Sequence, residues 1–281
     1  MKITFWGTRG SIAAPGPDTT VYGGNTTCLE ITTASGRTVI IDAGTGIRTL
    51  GDALLRRDGT LTAHLLMTHV HWDHVWGFAF FGPLFQTNNR IVVDGSPRGM
   101  EGLRRVFSQD YLDGTWPIRF EDLKAEITAT RALAGGQMFL DGTVVTSQHL
   151  QHPQGGMGFK FTENTGTFVF LTDNELIDKP CAGPSFKDFV LFCRNADVLV
   201  HDCQYLPEEM DIRRGWGHSD LNTVVRLALE ADVRRLVLFH HDPWRTDQAV
   251  SSMVERCAEM LDSANSTVSV HAAQEGSTLE V

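Results

Sequence analysis

The sequence predicts an α/β fold, and three observations carry that prediction. Short β-rich runs alternate with runs of helical apolar spacing along most of the 281 residues. Chemically capable side chains recur after the apolar runs, at His69, Asp173, Asp202 and His240, with His218 in a Gly-rich loop. The densest group is His69-Val70-His71-Trp72-Asp73-His74. It follows a buried run at 64–68 and precedes a helix-like run at 73–81. That places it on a loop at the carboxyl end of a strand, where open sheets put their chemistry.

The bulk numbers narrow the class. A chain of 281 residues can bury a large core, and one domain spanning 1–281 suffices. The mix of 42% hydrophobic and 21% charged residues is that of a folded enzyme and excludes a disordered chain. A net charge of −10 disfavours long nucleic acid and anionic membrane as partners. No apolar stretch reaches the roughly 20 residues of a membrane span. The five cysteines are scattered, with no CxxC, as expected of reduced thiols in a cytoplasmic protein. Residues 1–7 enter a strand directly, without the apolar region of a secretory signal.

The elements follow in order. Residues 2–6 alternate like an edge strand, and 7–25 form a long loop rich in turn residues. Residues 27–33 and 38–41 read as strands around a hairpin at 34–37. Gly44-Thr45-Gly46 suits either a phosphate cradle or a capped strand-to-helix turn. Helical spacing covers 47–57. Beyond the histidine cluster, 90–94 reads as a strand and 100–107 as a helix. The region 97–124, with its loop at 113–117, is expected to be an insertion or flap. Strands follow at 126–130, 143–149, 159–162 and 167–171, a helix at 185–194, and a buried strand at 197–201. Ser219 or Asp220 caps a helix over 221–231, then comes a strand at 235–239. Thr246-Asp247 caps a last helix to 261, and strands near 267–271 and 277–281 close the chain.

Imidazole nitrogen and carboxylate oxygen are ligands that Zn²⁺ prefers, and structural zinc sites are usually cysteine-rich. A cluster of three histidines and an aspartate without cysteine therefore points to a working metal. His69-Val70-His71-Trp72-Asp73-His74 resembles the HxHxDH signature of the metallo-β-lactamase superfamily. Asp42 resembles that family's first-motif Asp. His152, followed by Gly155, Gly158 and Phe159-Lys160, resembles the third-motif His, with His149 as the rival three residues earlier. Asp173 resembles the fourth-motif Asp, and His240 the last-motif His, with His241 beside it. Gly217-His218-Ser219 ahead of a helix and a final strand is similar to the ribonuclease Z branch, which also holds cyclic phosphodiesterases. Thr172 stands where Gly is common, Phe159-Lys160 where Tyr-Arg is, and no long Gly-Pro-rich arm for gripping tRNA is visible.

The resemblance implies a four-layer αββα metallo-β-lactamase sandwich. It implies two divalent metal ions, Zn²⁺ by ligand type, with Mn²⁺ or Fe²⁺ as alternatives. His69, His71 and His152 would hold one, Asp73, His74 and His240 the other, and Asp173 would bridge them. Two such ions lower the pKa of a water and clamp a phosphoryl oxygen. His218 would bind the phosphate and protonate the leaving oxygen, and Asp202 would orient it and raise its pKa. The expected activity is hydrolysis of a small phosphodiester of cyclic-nucleotide type. An acyl hydrolase (thioester, lactone or β-lactam), a ribonuclease, and a binding module with a vestigial metal site are the alternatives. The resemblance allows a homodimer. Trp72 and Phe80-Phe81 are expected at the pocket wall, and Asn25 in a turn or at the site's edge.

Overall fold

The computed structural model describes residues 1–57, 59–108 and 117–281. Its first half runs β1 (Lys2–Gly7), β2 (Cys28–Thr32), β3 (Thr38–Ile41), α1 (Gly46–Leu55), β4 (Thr62–Met67), α2 (Trp72–Val75), β5 (Arg90–Gly95), α3 (Gly99–Arg105) and β6 (Glu126–Ala129). The second half begins with β7 (Gln137–Leu140), β8 (Thr143–His149), β9 (Met157–Glu163), β10 (Gly166–Leu171) and α4 (Phe186–Cys193). It closes with β11 (Val198–Asp202), α5 (Leu221–Glu230), β12 (Arg235–Phe239), α6 (Asp247–Ser263), β13 (Ser269–Ala272) and β14 (Thr278–Glu280). The strands form two seven-stranded sheets, ordered β14-β1-β2-β3-β4-β5-β6 and β13-β12-β11-β10-β9-β8-β7.

Period-2 alternation sets the layers. Val39 and Ile41 point between the sheets while Ile40 points outward; Phe168 and Phe170 do the same against Val169 and Leu171. Between the sheets lie Phe5, Phe159, Phe161, Phe168, Phe170 and Phe239, all buried. Cutting one of them to Ala costs about 3–5 kcal/mol. The outer face of the first sheet is covered by α1, α3 and the residues after the histidine cluster. The outer face of the second is covered by α4, α5 and α6. Ser185 with Asp188, Asp220, and Thr246 cap those three helices. The result is the expected αββα order of layers.

In each sheet one half is antiparallel and the other parallel. β3, β4, β5 and β6 run parallel, as do β10, β11, β12 and β13. Parallel neighbours end on one edge, so Asp42, His69, Asp173, Asp202 and His240 are delivered to the same rim. Among the described residues, no helix is long and apolar enough to cross a membrane.

Some expectations need correction. β1 is not an edge strand, because β14 pairs along it with Lys2 opposite Glu280; alternation reports a face, not a position in the sheet. The run 73–81 is not one helix. A single α-turn, α2, gives way to 3₁₀ turns at Trp76–Phe80 and Gly82–Phe85. Gly77 passes so near the Gly44 carbonyl that a Cβ there would overlap it, and its N–H bonds Ala43 O at 2.9 Å instead of continuing a helix. β7 (Gln137–Leu140) is a strand beyond those expected. It pairs with β8 across Asp141-Gly142, both at positive φ, a hairpin pair visible in the sequence. In the expected flap, Leu103, Val106 and Phe107 are buried and Phe120 packs on the same outer core. Most of the loop expected at 113–117 lies outside the described residues.

Candidate metal centre

The rim is built with strained backbone. Asp42 (φ 60°), Asp173 (φ 49°) and His240 (φ 59°) each follow a parallel strand in the left-handed region. That conformation costs about 1–3 kcal/mol per non-glycine residue and persists where surroundings over-determine it, often at functional sites. Here the surroundings are one another.

The structure gathers the candidate residues into two sets that meet at Asp173, beside a third group of Asp202, His218 and His240. His69, His71, His152 and Asp173 form one; Asp73, His74, Asp173 and His240 form the other. Within each set the ligand atoms lie within 4.8 Å of one another. Asp173 belongs to both. Its Oδ2 lies 3.7 Å from His69 Nε2 and 3.9 Å from His152 Nε2. Its Oδ1 lies 3.2 Å from both His74 Nε2 and His240 Nε2. Asp73 Oδ2 faces the same two nitrogens, also at 3.2 Å. His149 is exposed and outside both sets, and His241 Nε2 instead meets Ala273 O at 2.9 Å.

The donor set fits divalent cations. Among the described residues, His69 Nε2 and His74 Nε2 are buried without a hydrogen-bond partner. Their other nitrogens are engaged: His74 Nδ1 donates to Asp42 Oδ2 at 2.7 Å, and His69 Nδ1 to Thr68 Oγ1 at 3.1 Å. His152 Nδ1 donates to Gly217 O at 3.1 Å, and His71 Nε2 to Gln154 Oε1 at 2.7 Å. In the neutral ring each outer bond favours the tautomer whose lone pair is on the inward nitrogen, which is how metal-ligating histidines are held. Charge agrees. Asp42, Asp73 and Asp173 are buried, and among the described residues their ion pairs are to histidines alone. Burial drives His74 towards neutrality, but Asp73, Asp173 and Asp42 outweigh it and hold this imidazole well above its ordinary pKa. Burial, helped by the neighbouring His74, pushes His69 well down, and burial takes His152 down to about 4. Three buried carboxylates, with His69 and His152 held towards their neutral forms, make a site that cations would balance.

Two loops brace the sets. The loop after β1 is tied to the one after β12 by Arg9, whose buried guanidinium donates to Asp242 O at 3.1 Å and Arg245 O at 2.8 Å. It then presents Gly10, where a Cβ would lie 2.5 Å from His240 Nδ1, and Ser11, whose N–H bonds Asp73 Oδ2 at 2.8 Å. The other loop contains Gly217 (φ 88°), where a Cβ would overlap the His152 ring. Buried Glu175 fixes this loop, its Oε2 accepting from Gly215 N at 2.8 Å and Gly217 N at 3.1 Å.

His218 sits beside the sets, with its ring stacked on His240 at 5.1 Å and edge-on to His152 at 5.4 Å. Its Nδ1 donates to Asp202 Oδ2 at 2.6 Å. Burial lowers the His218 pKa, but the Asp202 charge and hydrogen bond more than reverse this and carry it to about 9. Asp202 is fully buried, not a surface strand end. Ser11, His69, His71, Trp72, Asp73, Asp173 and His218 share a cavity of about 570 Å³. Of the expected wall aromatics only Trp72 lines it; Phe81 is in the outer core, and Phe80 is exposed away from the lining. Asn25 Nδ2 donates to Glu275 Oε2 at 3.0 Å, a loop-building role. Thr45 Oγ1 likewise donates to Asn25 Oδ1, so Gly44-Thr45-Gly46 is a braced turn. Lys160 turns away to Phe192 O, and His201 is buried against Asn174.

Sequence reasoning missed Ser11, Gln154, Glu175 and Arg98 of the cavity and its supports. Ser11 acts through its backbone N–H, which no side-chain pattern reveals. Gln154 and Glu175 are ordinary polar residues until the loops are placed.

A beta-lactamase superfamily domain model matches residues 37–241. A ribonuclease Z of Thermoplasma acidophilum is 41% identical over 228 residues, covering 66% of this chain and 71% of its own. A ribonuclease Z of Haloferax volcanii is 24% identical, covering 100% of this chain and 95% of its own. The metallo-beta-lactamase fold protein YhfI from Bacillus subtilis has the same fold, with a TM-score of 0.69 at 15% identity over 100% of this chain and 98% of its own.

Proposed function

The chain belongs to the beta-lactamase superfamily, and on that premise we propose that it is a single-domain, two-metal hydrolase of small, nucleotide-type phosphodiesters. The observation that carries this reading is the 2.6 Å His218–Asp202 bond, with His218 lining one cavity together with His69, His71, Asp73 and Asp173. His69, His71 and His152 would hold one ion, Asp73, His74 and His240 the other, with one oxygen of Asp173 turned to each. Zn²⁺ suits these donors, and Mn²⁺ or Fe²⁺ can replace it. Bound there, the ions supply Lewis acidity that activates water near neutral pH and neutralises phosphoryl oxygen.

The chain's own residues do the rest. Asp202 accepts the hydrogen bond of the His218 Nδ1–H, which leaves Nε2–H as the ring's free proton donor. A charge-supported imidazolium can bind a phosphoryl oxygen and pass the Nε2 proton to the departing alkoxide. Ser11 N–H holds Asp73 and Gly217 O holds His152, so neither must reorganise during reaction.

A second reading is ribonuclease action, favoured by the relatives named ribonuclease Z. The net charge of −10 favours the smaller substrate. The test is a panel of bis-p-nitrophenyl phosphate, cyclic mononucleotides, cyclic dinucleotides and precursor tRNA, run with Zn²⁺ and with Mn²⁺. The small diesters are expected to turn over fastest. Cleavage of the tRNA alone would replace this reading with the second, and activity confined to thioesters or lactones would remove both.

A further inference from the structure

The cavity wall outside the ligand sets has its own chemistry. Trp72 lies between His71 and Asp73, so their placement fixes its backbone. Its side chain is 74% exposed, yet the indole is not loose: it stacks on Trp76 with centroids 5.3 Å apart and planes 24° apart. A large ring held flat at a cavity mouth and left in water is an unused hydrophobic face. Arg98 and Arg105 line the same cavity. Arg105 is paired with Glu101, whereas Arg98 has no acidic partner among the described residues. Among the described residues, Asp73 and Asp173 are the acids that line the cavity. In a chain of net charge −10, two arginines therefore stand beside the two aspartates of this wall.

We propose that Trp72 and Arg98 form a recognition subsite, selecting phosphodiesters that carry a planar aromatic group and a second phosphate besides the scissile one. The proposal rests on the reading of the site as a phosphodiesterase centre. The indole offers its face to a planar ring, a contact tolerant of which base it meets. The guanidinium fork of Arg98 matches a phosphate monoester in two parallel hydrogen bonds, with Arg105 adding charge. A plain cyclic mononucleotide has one anionic group, at the bond to be broken, and would leave Arg98 without a partner. A nucleotide diester bearing a further terminal phosphate uses every feature of the wall.

The test compares thymidine 5′-(4-nitrophenyl phosphate) with and without a 3′-phosphate on the metal-loaded protein. Binding of adenosine 3′,5′-bisphosphate and adenosine 5′-monophosphate is followed alongside by tryptophan fluorescence. The extra phosphate is expected to raise kcat/KM and tighten binding by about tenfold, the effect of one charge-assisted contact. Arg98→Ala removes that advantage and Arg98→Lys keeps part of it. Trp72→Ala weakens both nucleotides by about tenfold, the scale of a lost base stack. Metal content and Tm of each variant report that the fold is intact. Equal rates for the two thymidine substrates, or an advantage that survives Arg98→Ala, would overturn the subsite while leaving the phosphodiesterase reading in place. Arg98-dependent bisphosphate binding without turnover of any diester would keep the subsite and remove that reading.

Discussion

The two sheets contribute to the site in different ways. The first sheet delivers four candidate ligands within six residues, His69 to His74, on the one loop after β4. The second delivers His152, Asp173, Asp202, His218 and His240 singly, each from its own loop or strand end. The first arrangement is locally determined: His74 is locked by Asp42 on the neighbouring strand end, and His69 by Thr68. The second exists only when the strands are in register. A compact cluster survives small shifts of the scaffold, whereas a dispersed one depends on every loop that carries a member. Asp173 joins the two, one oxygen to each set.

That contrast can be broken most forcefully at the joint. Asp173→Ala is expected to remove metal from both sets and lower turnover on the order of 10³-fold or more, since it takes away a ligand and the charge that balances two ions. Metal analysis of the purified variant checks it; full occupancy with normal turnover would show that the sets are independent. His218→Ala comes next, cutting turnover about 10²–10⁴-fold as the loss of a positioned proton donor does. Its metal content stays unchanged, and a joint loss of metal would make His218 a ligand.

The loops of the second sheet give smaller effects. Gly217→Ala forces a Cβ into the His152 ring at a left-handed position. Metal affinity at the His69–His71–His152 set should fall about 10–100-fold, with the other set little affected, as competition with a chelator would reveal. Gln154→Ala removes the outer hydrogen bond of His71 from an exposed residue. Its effect should stay at or below about tenfold in affinity. Equal losses at both sets from either variant would contradict the division of labour.

The same contrast explains what could be read from the sequence. His69 to His74 was legible because its members are adjacent and chance does not crowd histidines. The strands at 38–41 and 167–171 were legible from their β-rich apolar runs, whereas the four layers came from the family resemblance. Asp173 and His240 could be picked as residues following apolar runs and by their likeness to the family's motifs, and for Asp202 a surface carboxylate was the rival reading. Its burial depends on His218, which lies 16 residues on and across a loop. The 3₁₀ turns after α2 were illegible because their cause, the close pass of Gly77 over Gly44, joins segments 33 residues apart.

The most direct measurement is the number and position of bound metal ions. Crystals of the metal-loaded protein, examined by anomalous scattering at the Zn and Mn edges, should show two ions flanking Asp173. One should lie among His69, His71 and His152, the other among Asp73, His74 and His240. A single ion, or ions coordinated by His149 or His241 in place of His152 or His240, would contradict the account.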